Sequence, residues 1–374
     1  MKILKYFPYY VLIFMFSGHY TAKGQLLRDK LAMKEVQDGI TSIYNFDFTK
    51  ASQNIRLISD QYPGHPVIPL LQSFKMYWQY LPIQDHPAEL QTYLKTLQEC
   101  LSAIDKYFGP NSQEPEAVFY TIAARGYIAM CYNYQNELLK AALEAKKAYN
   151  ALTKGQSLIQ QNPEFYFTSG LYNYYFEVYP NKKPIIKPAI WFFKKGNKAL
   201  GIDQLTKASQ IAVISKAEAK FYLAHILLEY ENKPDRALQF TKLLNNSYPA
   251  NPVYRMVHIE TLLHNNQFAE AEKLLQSYPL PQRPLYRSAT PLFQGYLAEK
   301  QHKKLEQAEI LYKKALSLPI NDQYTGEYHA LAYAGLARIA HQQGNPNSAK
   351  DYYKKCLRTA EYKLTVQEAN AYLK

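Results

Sequence analysis

The chain has 374 residues, of which 47% are hydrophobic and only 14 are glycine, so its composition excludes a disordered or collagen-like protein. The formal net charge of +13 favours acidic partners or anionic surfaces but specifies neither. Tyrosine is unusually frequent, with 35 residues. Because a tyrosine has an apolar ring and a polar hydroxyl, we expect most of them to pack half-buried between helices.

The first 24 residues have the pattern of a secretory signal peptide. Lys2 and Lys5 give a positive start, residues 7–16 form an uncharged and mostly apolar run, and Ala22 and Gly24 provide small residues for cleavage. The run is shorter than the roughly 20 residues that a stable membrane span needs. We predict cleavage after Gly24 and export to the periplasm or cell envelope; an uncleaved anchor is the alternative. An exported protein is not expected to bind nucleic acid.

Three predicted helix pairs cover the first half of the remaining chain. In the first pair, Gly39, Ala51 and Pro63 are spaced 12 residues apart. Small residues let two helices approach closely, and a proline ends the second helix because it cannot continue it. Apolar residues at helical spacing predict helices at 27–45, 48–62, 66–82, 86–109, 114–135 and 137–161.

The same pattern returns in the second half. Helix pairs are predicted over 221–249, 252–279 and 291–319, and a last pair ends at Cys356. Residues 365–374 form a plausible polar cap, which an open array of helices needs for solubility. Small residues are expected at the helix contacts throughout: Ala123, Ala124, Gly126, Ala224, Ala237, Ala271, Gly295, Ala308, Ala337 and Ala349.

These spacings resemble the tetratricopeptide repeat (TPR), a helix–turn–helix unit of 34 residues. The resemblance implies an all-α fold, a TPR-like α–α superhelix of about eight helix pairs. Residues 25–374 would then form a single helical repeat domain. It further implies a non-enzymatic scaffold that binds a protein or peptide partner in its concave groove.

The block from Phe165 to about Leu228 resembles a second, narrower group. It contains in order Gly-Leu-Tyr-Asn-Tyr-Tyr, Lys195-Gly196-Asn197, Gly201, Ala217-Glu218-Ala219 and Leu223-Ala224. This order is similar to the central block of the tetratricopeptide repeat protein 39 family and its fungal inclusion-body clearance relatives of the outer mitochondrial membrane. That likeness implies a non-catalytic protein working near a membrane, although the predicted signal peptide departs from the family. Length and aromatic content also resemble exported repeat proteins of Bacteroidetes-type bacteria.

In a repeat of this kind the first helix of each pair lines the concave groove. A mixture of aromatic, cationic and acidic side chains there could hold an extended peptide or a helix, while the alternative is a solvated face without a ligand. The lysine–asparagine clamp of relatives that bind chaperone tails is absent, since Val36 and Ile40 occupy its positions. The candidate partner-binding residues are His225, Glu260, His264, Tyr296, Lys300, Arg338 and His341.

An irregular insertion at about 180–196 interrupts the repeats. Pro184 and Pro188 prevent a regular helix until about Ala189. Its lysines and aromatic rings either contact an anionic membrane or a partner, or pack under the neighbouring repeats. The residues concerned are Lys182, Lys183, Lys187, Trp191, Phe192, Phe193, Lys194 and Lys195.

The sequence contains no recognisable catalytic, cofactor or metal motif. The closest histidines, His258 and His264, lack metal-binding spacing. The odd number and long spacings of the cysteines, Cys100, Cys131 and Cys356, do not indicate a disulfide scaffold. A single disulfide between Cys100 and Cys131 is the alternative. We therefore predict no enzyme activity, cofactor or metal. A glycan-binding accessory protein is a further alternative, but the chain has only two tryptophans and no cysteine early in the sequence.

Overall fold

The computed structural model describes residues 26, 29–182, 193–281, 283–320 and 325–374. Over these residues the chain forms helices and no β-strand. None of the described helices is both long and apolar enough to cross a membrane. The predicted signal segment, residues 1–24, lies outside the described residues.

Seventeen α-helices of ten or more residues follow one another in the described ranges. They are α1 (Lys30–Tyr44), α2 (Phe48–Gln61), α3 (Val67–Gln79), α4 (Pro87–Phe108), α5 (Pro115–Tyr134), α6 (Leu138–Ser157), α7 (Glu164–Lys182), α8 (Lys198–Ile211), α9 (Lys216–His225), α10 (Pro234–Ser247), α11 (Pro252–His264), α12 (Phe268–Ser277), α13 (Ala289–Lys300), α14 (Leu305–Leu316), α15 (Gly326–Gln342), α16 (Pro346–Cys356) and α17 (Lys363–Leu373). A π-helical turn, Ile226–Tyr230, continues α9.

These helices pack as eight sequential pairs, from α1/α2 to α15/α16, and α17 stands alone at the end. Each pair also contacts the next, so that one main hydrophobic core runs along the array. The predicted all-α fold, a TPR-like superhelix of about eight helix pairs, is confirmed. Helix α17 covers most of the segment that the sequence marks as a polar cap.

The turn inside most pairs has a shared backbone geometry. After α1, the N–H of Asp47 donates to the carbonyl of Ser42 at 3.0 Å, and after α11 that of Gln267 donates to Leu262 at 2.9 Å. This bond closes the first helix as a Schellman motif, which requires a residue with positive φ. Among the described residues, six turns inside pairs contain one. Phe46, Asn136, Asn266 and Gly344 precede a bond of this kind, whereas after Asn232 and Lys303 the next N–H donates to a carbonyl six residues back.

Tyr312 of α14 shows why small residues recur where helices touch. A Cβ atom on Gly295 of α13 would lie 2.9 Å from its ring, and one on Gly335 of α15 would overlap the ring from the other side. The ring thus occupies space that a larger residue at either position would need. The predicted place of Gly295 at a helix contact is confirmed, and Ala349 of α16 is fully buried.

The glycines of the 165–228 block bring α7 and α8 into backbone contact. A Cβ atom on Gly201 would lie 2.6 Å from the backbone nitrogen of Tyr174 and 2.8 Å from the carbonyl oxygen of Gly170. Gly170 in turn lies against Leu205, so the crossing has no room for a side chain. By contrast, the expectation that Gly126 lies at a crossing is wrong. A Cβ atom there would meet nothing within 4 Å.

We predict that Gly201→Ala lowers the free energy of unfolding by about 3 kcal/mol, the upper end for an overpacked core, because the new methyl group meets backbone atoms. Gly126→Ala is the matched control. It adds the same methyl group to a helix at an open position and should raise the free energy by about 0.5–1 kcal/mol. Urea unfolding followed by circular dichroism measures both. Equal stability of the two variants would contradict the packing role of Gly201.

Candidate functional site on the concave face

The seven predicted groove residues lie on four first helices: α9, α11, α13 and α15. The end of the chain, from Glu361 to Tyr372, crosses this surface and contacts several of them. Tyr362 belongs to the same buried cluster as Leu223 and Ile226 of the fifth helix pair, although it follows the eighth pair in sequence. The chain therefore covers part of its own concave face.

Glu260 of α11 is one of the predicted groove residues that this segment contacts. Its carboxylate accepts hydrogen bonds from the hydroxyl of Tyr362 at 2.9 Å and from that of Tyr328 at 3.3 Å. Burial raises the pKa of Glu260 to about 7, although the Tyr362 hydrogen bond and His225 act in the opposite direction. His264 lies beside the ring of Tyr362, with ring centroids 5.9 Å apart. Burial and the charge of Arg338 lower the pKa of His264 to about 4.

Glu327 of α15 holds the backbone of the same crossing segment. Its carboxylate accepts from the N–H of Glu361 at 2.6 Å, the N–H of Tyr362 at 3.0 Å and the hydroxyl of Thr365 at 2.7 Å. These donors lie just before and within the first turn of α17, so Glu327 caps that helix from another helix. Burial raises the pKa of Glu327 to about 8, against the effect of these hydrogen bonds.

Arg338 of α15 is the centre of a buried ion-pair network. It donates to both oxygens of Glu299, from Nε at 2.7 Å and from Nη2 at 2.8 Å, and its Nη1 donates to Glu368 at 2.8 Å. Tyr312 adds a hydrogen bond to Glu299 at 2.7 Å. Burial would raise the pKa of Glu299, but Arg338 and Tyr312 lower it to about 2. Arg338 therefore joins α13, α15 and α17.

The remaining predicted groove residues also have partners within the chain. His225 pairs with Glu229 at 3.1 Å; burial lowers the pKa of this histidine, but the carboxylate outweighs it and the pKa is raised. Lys300 pairs with Glu299 at 2.9 Å, and His341 shares a hydrogen bond with Tyr372 at 3.0 Å. The ring of Tyr296 lies beside His264 and Phe268. Their role toward a partner stays a prediction.

The N-terminal half of the concave face closes through Tyr44 at the end of α1. Its hydroxyl donates to Glu218 of α9 at 2.8 Å, and its carbonyl accepts from the Asn251 side chain at 2.9 Å. Its ring contacts those of Trp78, Tyr248 and Tyr254 at centroid distances of 5.4, 5.4 and 5.9 Å. The first two helix pairs thus contact the fifth and sixth pairs directly.

This closure borders an apolar cavity of about 270 Å³ between α3, α5, α7 and α9. Glu218 is its one carboxylate among mostly apolar and aromatic lining residues. No predicted site residue lies here. Aromatic residues on successive first helices were the available signal, but the pairing of α1 with α9 was not visible in local spacing. The lining includes Phe74, Phe119, Ile122, Ala123, Gly126, Tyr127, Met130, Phe167, Leu171, Ile214 and Tyr222.

The structure describes only part of the insertion at about 180–196. Phe193 packs against Tyr149 and Phe176, with ring centroids 4.8 and 5.2 Å away. Lys194 and Lys195 are exposed. Lys183, Lys187, Trp191 and Phe192, and the side chain of Lys182, lie outside the described residues. Contact of this segment with a membrane or partner stays a prediction.

The three cysteines are free thiols in buried positions, so Cys100 and Cys131 are not bridged. Burial raises the pKa of each thiol to about 12, which leaves them unreactive at neutral pH. Within the described ranges, no group of three histidine, cysteine, aspartate or glutamate residues could hold a metal ion.

Comparison with known proteins adds two likenesses of structure. No family model matches the chain, and no curated protein matches it. Among solved structures, a tetratricopeptide repeat protein from Parabacteroides merdae is 15% identical, with a TM-score of 0.36 over 80% of this chain and 99% of that one. Yeast Tom70 is 12% identical, with a TM-score of 0.35 over 88% and 86% of the two chains. The sequential helix pairs described above give this protein a TPR-like helical repeat fold.

We predict that Arg338→Ala lowers the free energy of unfolding by about 3–5 kcal/mol, because it leaves the buried Glu299 carboxylate without its bidentate partner. Lys300→Ala is the control. It removes the other cation on Glu299, but Lys300 is 30% exposed and should contribute less than about 1 kcal/mol. The free energies of unfolding of both variants, measured by chemical unfolding, show whether Arg338 stabilises the fold or is free to contact a partner. A loss below 1 kcal/mol for Arg338→Ala would refute the structural assignment.

Proposed function

We propose that this protein is a non-enzymatic scaffold of the cell envelope, which binds a protein or peptide partner on its concave face. The observation that carries the proposal is that this face already binds a chain segment. Glu327 accepts two backbone N–H groups, and Glu260 accepts a tyrosine hydroxyl, from residues 361–362. Side-chain carboxylates that hold backbone amides are a means of recognising a peptide through its main chain.

The crossing segment leaves part of the surface accessible. Lys300 on α13 keeps 30% of its side chain exposed, and His341 on α15 is exposed. Both lie on first helices beside Arg338. The buried ion pair of Arg338 with Glu299 connects α15 to α13 and fixes the two helices relative to each other. A partner segment can therefore contact exposed polar groups on a rigid support without disturbing the core.

We predict that the double variant Lys300→Ala/His341→Ala recovers the partner from envelope extract at least about tenfold less well than the wild type. A charged hydrogen bond contributes about 1.5–3 kcal/mol, and the variant removes polar donors from this surface. Recovery would be measured by quantitative mass spectrometry with the chain from residue 25 as bait. Thermal unfolding would show that the variant keeps its fold.

Lys314→Ala is the matched control, since Lys314 is an exposed lysine on the second helix α14. It should leave recovery unchanged. Equal recovery by the double variant and by the wild type would refute binding at this surface.

A further inference from the structure

The apolar cavity on the concave face has an unusual lining for its size. Five aromatic rings border it, from four different helical segments, together with a single carboxylate. Its volume of about 270 Å³ exceeds the roughly 150 Å³ that suffices for benzene in a dry protein cavity. Gly126 is exposed and lines the cavity. Because glycine has no side chain, the cavity is open to the surface at this residue. The rings belong to Phe74, Phe119, Tyr127, Phe167 and Tyr222.

Only one of the two carboxylate oxygens of Glu218 has a hydrogen-bond partner within the described residues. Its Oε1 accepts from Tyr44 at 2.8 Å, and its Oε2 has no hydrogen-bond partner among them. No described lysine, arginine or histidine forms an ion pair with it. Among the described residues, the titratable groups that feel its charge are tyrosines: Tyr222 on its own helix, and Tyr44, Tyr93, Tyr127, Tyr248 and Tyr254 from other segments.

A carboxylate without a cation, set among aromatic rings, favours one class of ligand. A neutral apolar ligand would leave the free oxygen unpaired, and an anion would be repelled by it. An organic ammonium ion is complementary to both the carboxylate and the aromatic rings of the lining. Its charge pairs with the carboxylate, and its carbon atoms pack against rings that attract cations. We propose that this cavity binds a small organic ammonium ion, with Glu218 as its counter-ion and the aromatic rings around its alkyl groups.

The protonation of Glu218 supplies a second property of the site. Burial raises the pKa of this carboxyl to about 7, while the Tyr44 hydrogen bond acts in the opposite direction. Above pH 7 the group is ionised and can pair with a cation; below pH 7 it becomes neutral and cannot. Between pH 8 and pH 6 the ionised fraction falls from about nine-tenths to about one-tenth, so affinity for the cation should fall about tenfold.

Choline and 3,3-dimethylbutan-1-ol test the proposal, because they have the same shape and differ by one positive charge. Isothermal titration of the full chain at pH 8 should show saturable choline binding, with the neutral alcohol at least about tenfold weaker. The same titration at pH 6 should weaken choline binding about tenfold and leave the alcohol unchanged. Equal affinities for the two probes, or no saturable choline binding at millimolar concentration, would overturn the proposal.

Two variants assign the binding to this cavity. Glu218→Gln keeps an acceptor for Tyr44 but removes the charge, so it should lose choline affinity at least about tenfold and keep that for the alcohol. Gly126→Leu places a side chain at the open edge of the cavity and should weaken both probes, whereas Gly126→Ala should weaken neither strongly. Unchanged choline affinity in Glu218→Gln would overturn the assignment.

A third probe separates a free ligand from a cation carried by a protein. A short peptide with a trimethyl-lysine offers the same ammonium group on a polypeptide. Binding of this peptide without binding of free choline would overturn the small-ligand proposal. The inference is independent of the partner-binding proposal above, since no variant used here touches Lys300 or His341.

Discussion

The structure depends on one recurring interaction, in which a tyrosine ring fills the space between helices and its hydroxyl donates to a carboxylate on another element. The ring contributes apolar burial, and the carboxylate satisfies a hydroxyl that would otherwise be buried without a partner. The hydrogen bonds measure between 2.5 and 3.3 Å. The pairs are Tyr44–Glu218, Tyr62–Asp29, Tyr174–Glu231, Tyr312–Glu299, Tyr328–Glu260, Tyr353–Glu368 and Tyr362–Glu260.

Asp29 is exposed, and the presence or absence of a cation divides the other carboxylates of this set into two kinds. Burial penalises the charge of Glu299 and Glu231. Arg338 more than offsets this for Glu299, and the Tyr174 hydrogen bond together with Lys198 does so for Glu231, so the pKa of each is lowered. These pairs are structural, since their charges are compensated within the chain. Glu218 has no such cation among the described residues, and burial raises its pKa to about 7. The same tyrosine–carboxylate hydrogen bond therefore occurs at carboxylates that pair with a cation, such as Glu299, and at Glu218, which has no cationic partner among the described residues.

Local spacing predicted seven of the eight helix pairs, all except α7/α8, because each pair is stabilised by residues close in sequence. Gly295 and Tyr312 belong to one pair, and the need for a small residue opposite a ring is visible in the spacing. The contact of Tyr44 with Glu218 joins residues 174 positions apart and depends on how the array curves. Curvature is the sum of small rotations between pairs, which no single repeat encodes. Local spacing therefore could not predict the cavity or the contact of residues 361–372 with the concave face. It also could not predict that Gly126 is exposed.

The two halves of the concave face differ because they are covered in different ways. In the C-terminal half, Tyr362 and Glu368 come from the end of the chain and meet Glu260 and Arg338, so polar groups there are already paired. In the N-terminal half, closure occurs at the edge, through Tyr44, and the interior between α5, α7 and α9 is left apolar and open near Gly126. Under the two proposals above, a large partner would contact exposed polar groups of the C-terminal half, whereas a small ligand would enter the N-terminal half. Different segments cover the two halves, residues 361–372 in one and Tyr44 in the other, so binding at one half need not compete with binding at the other.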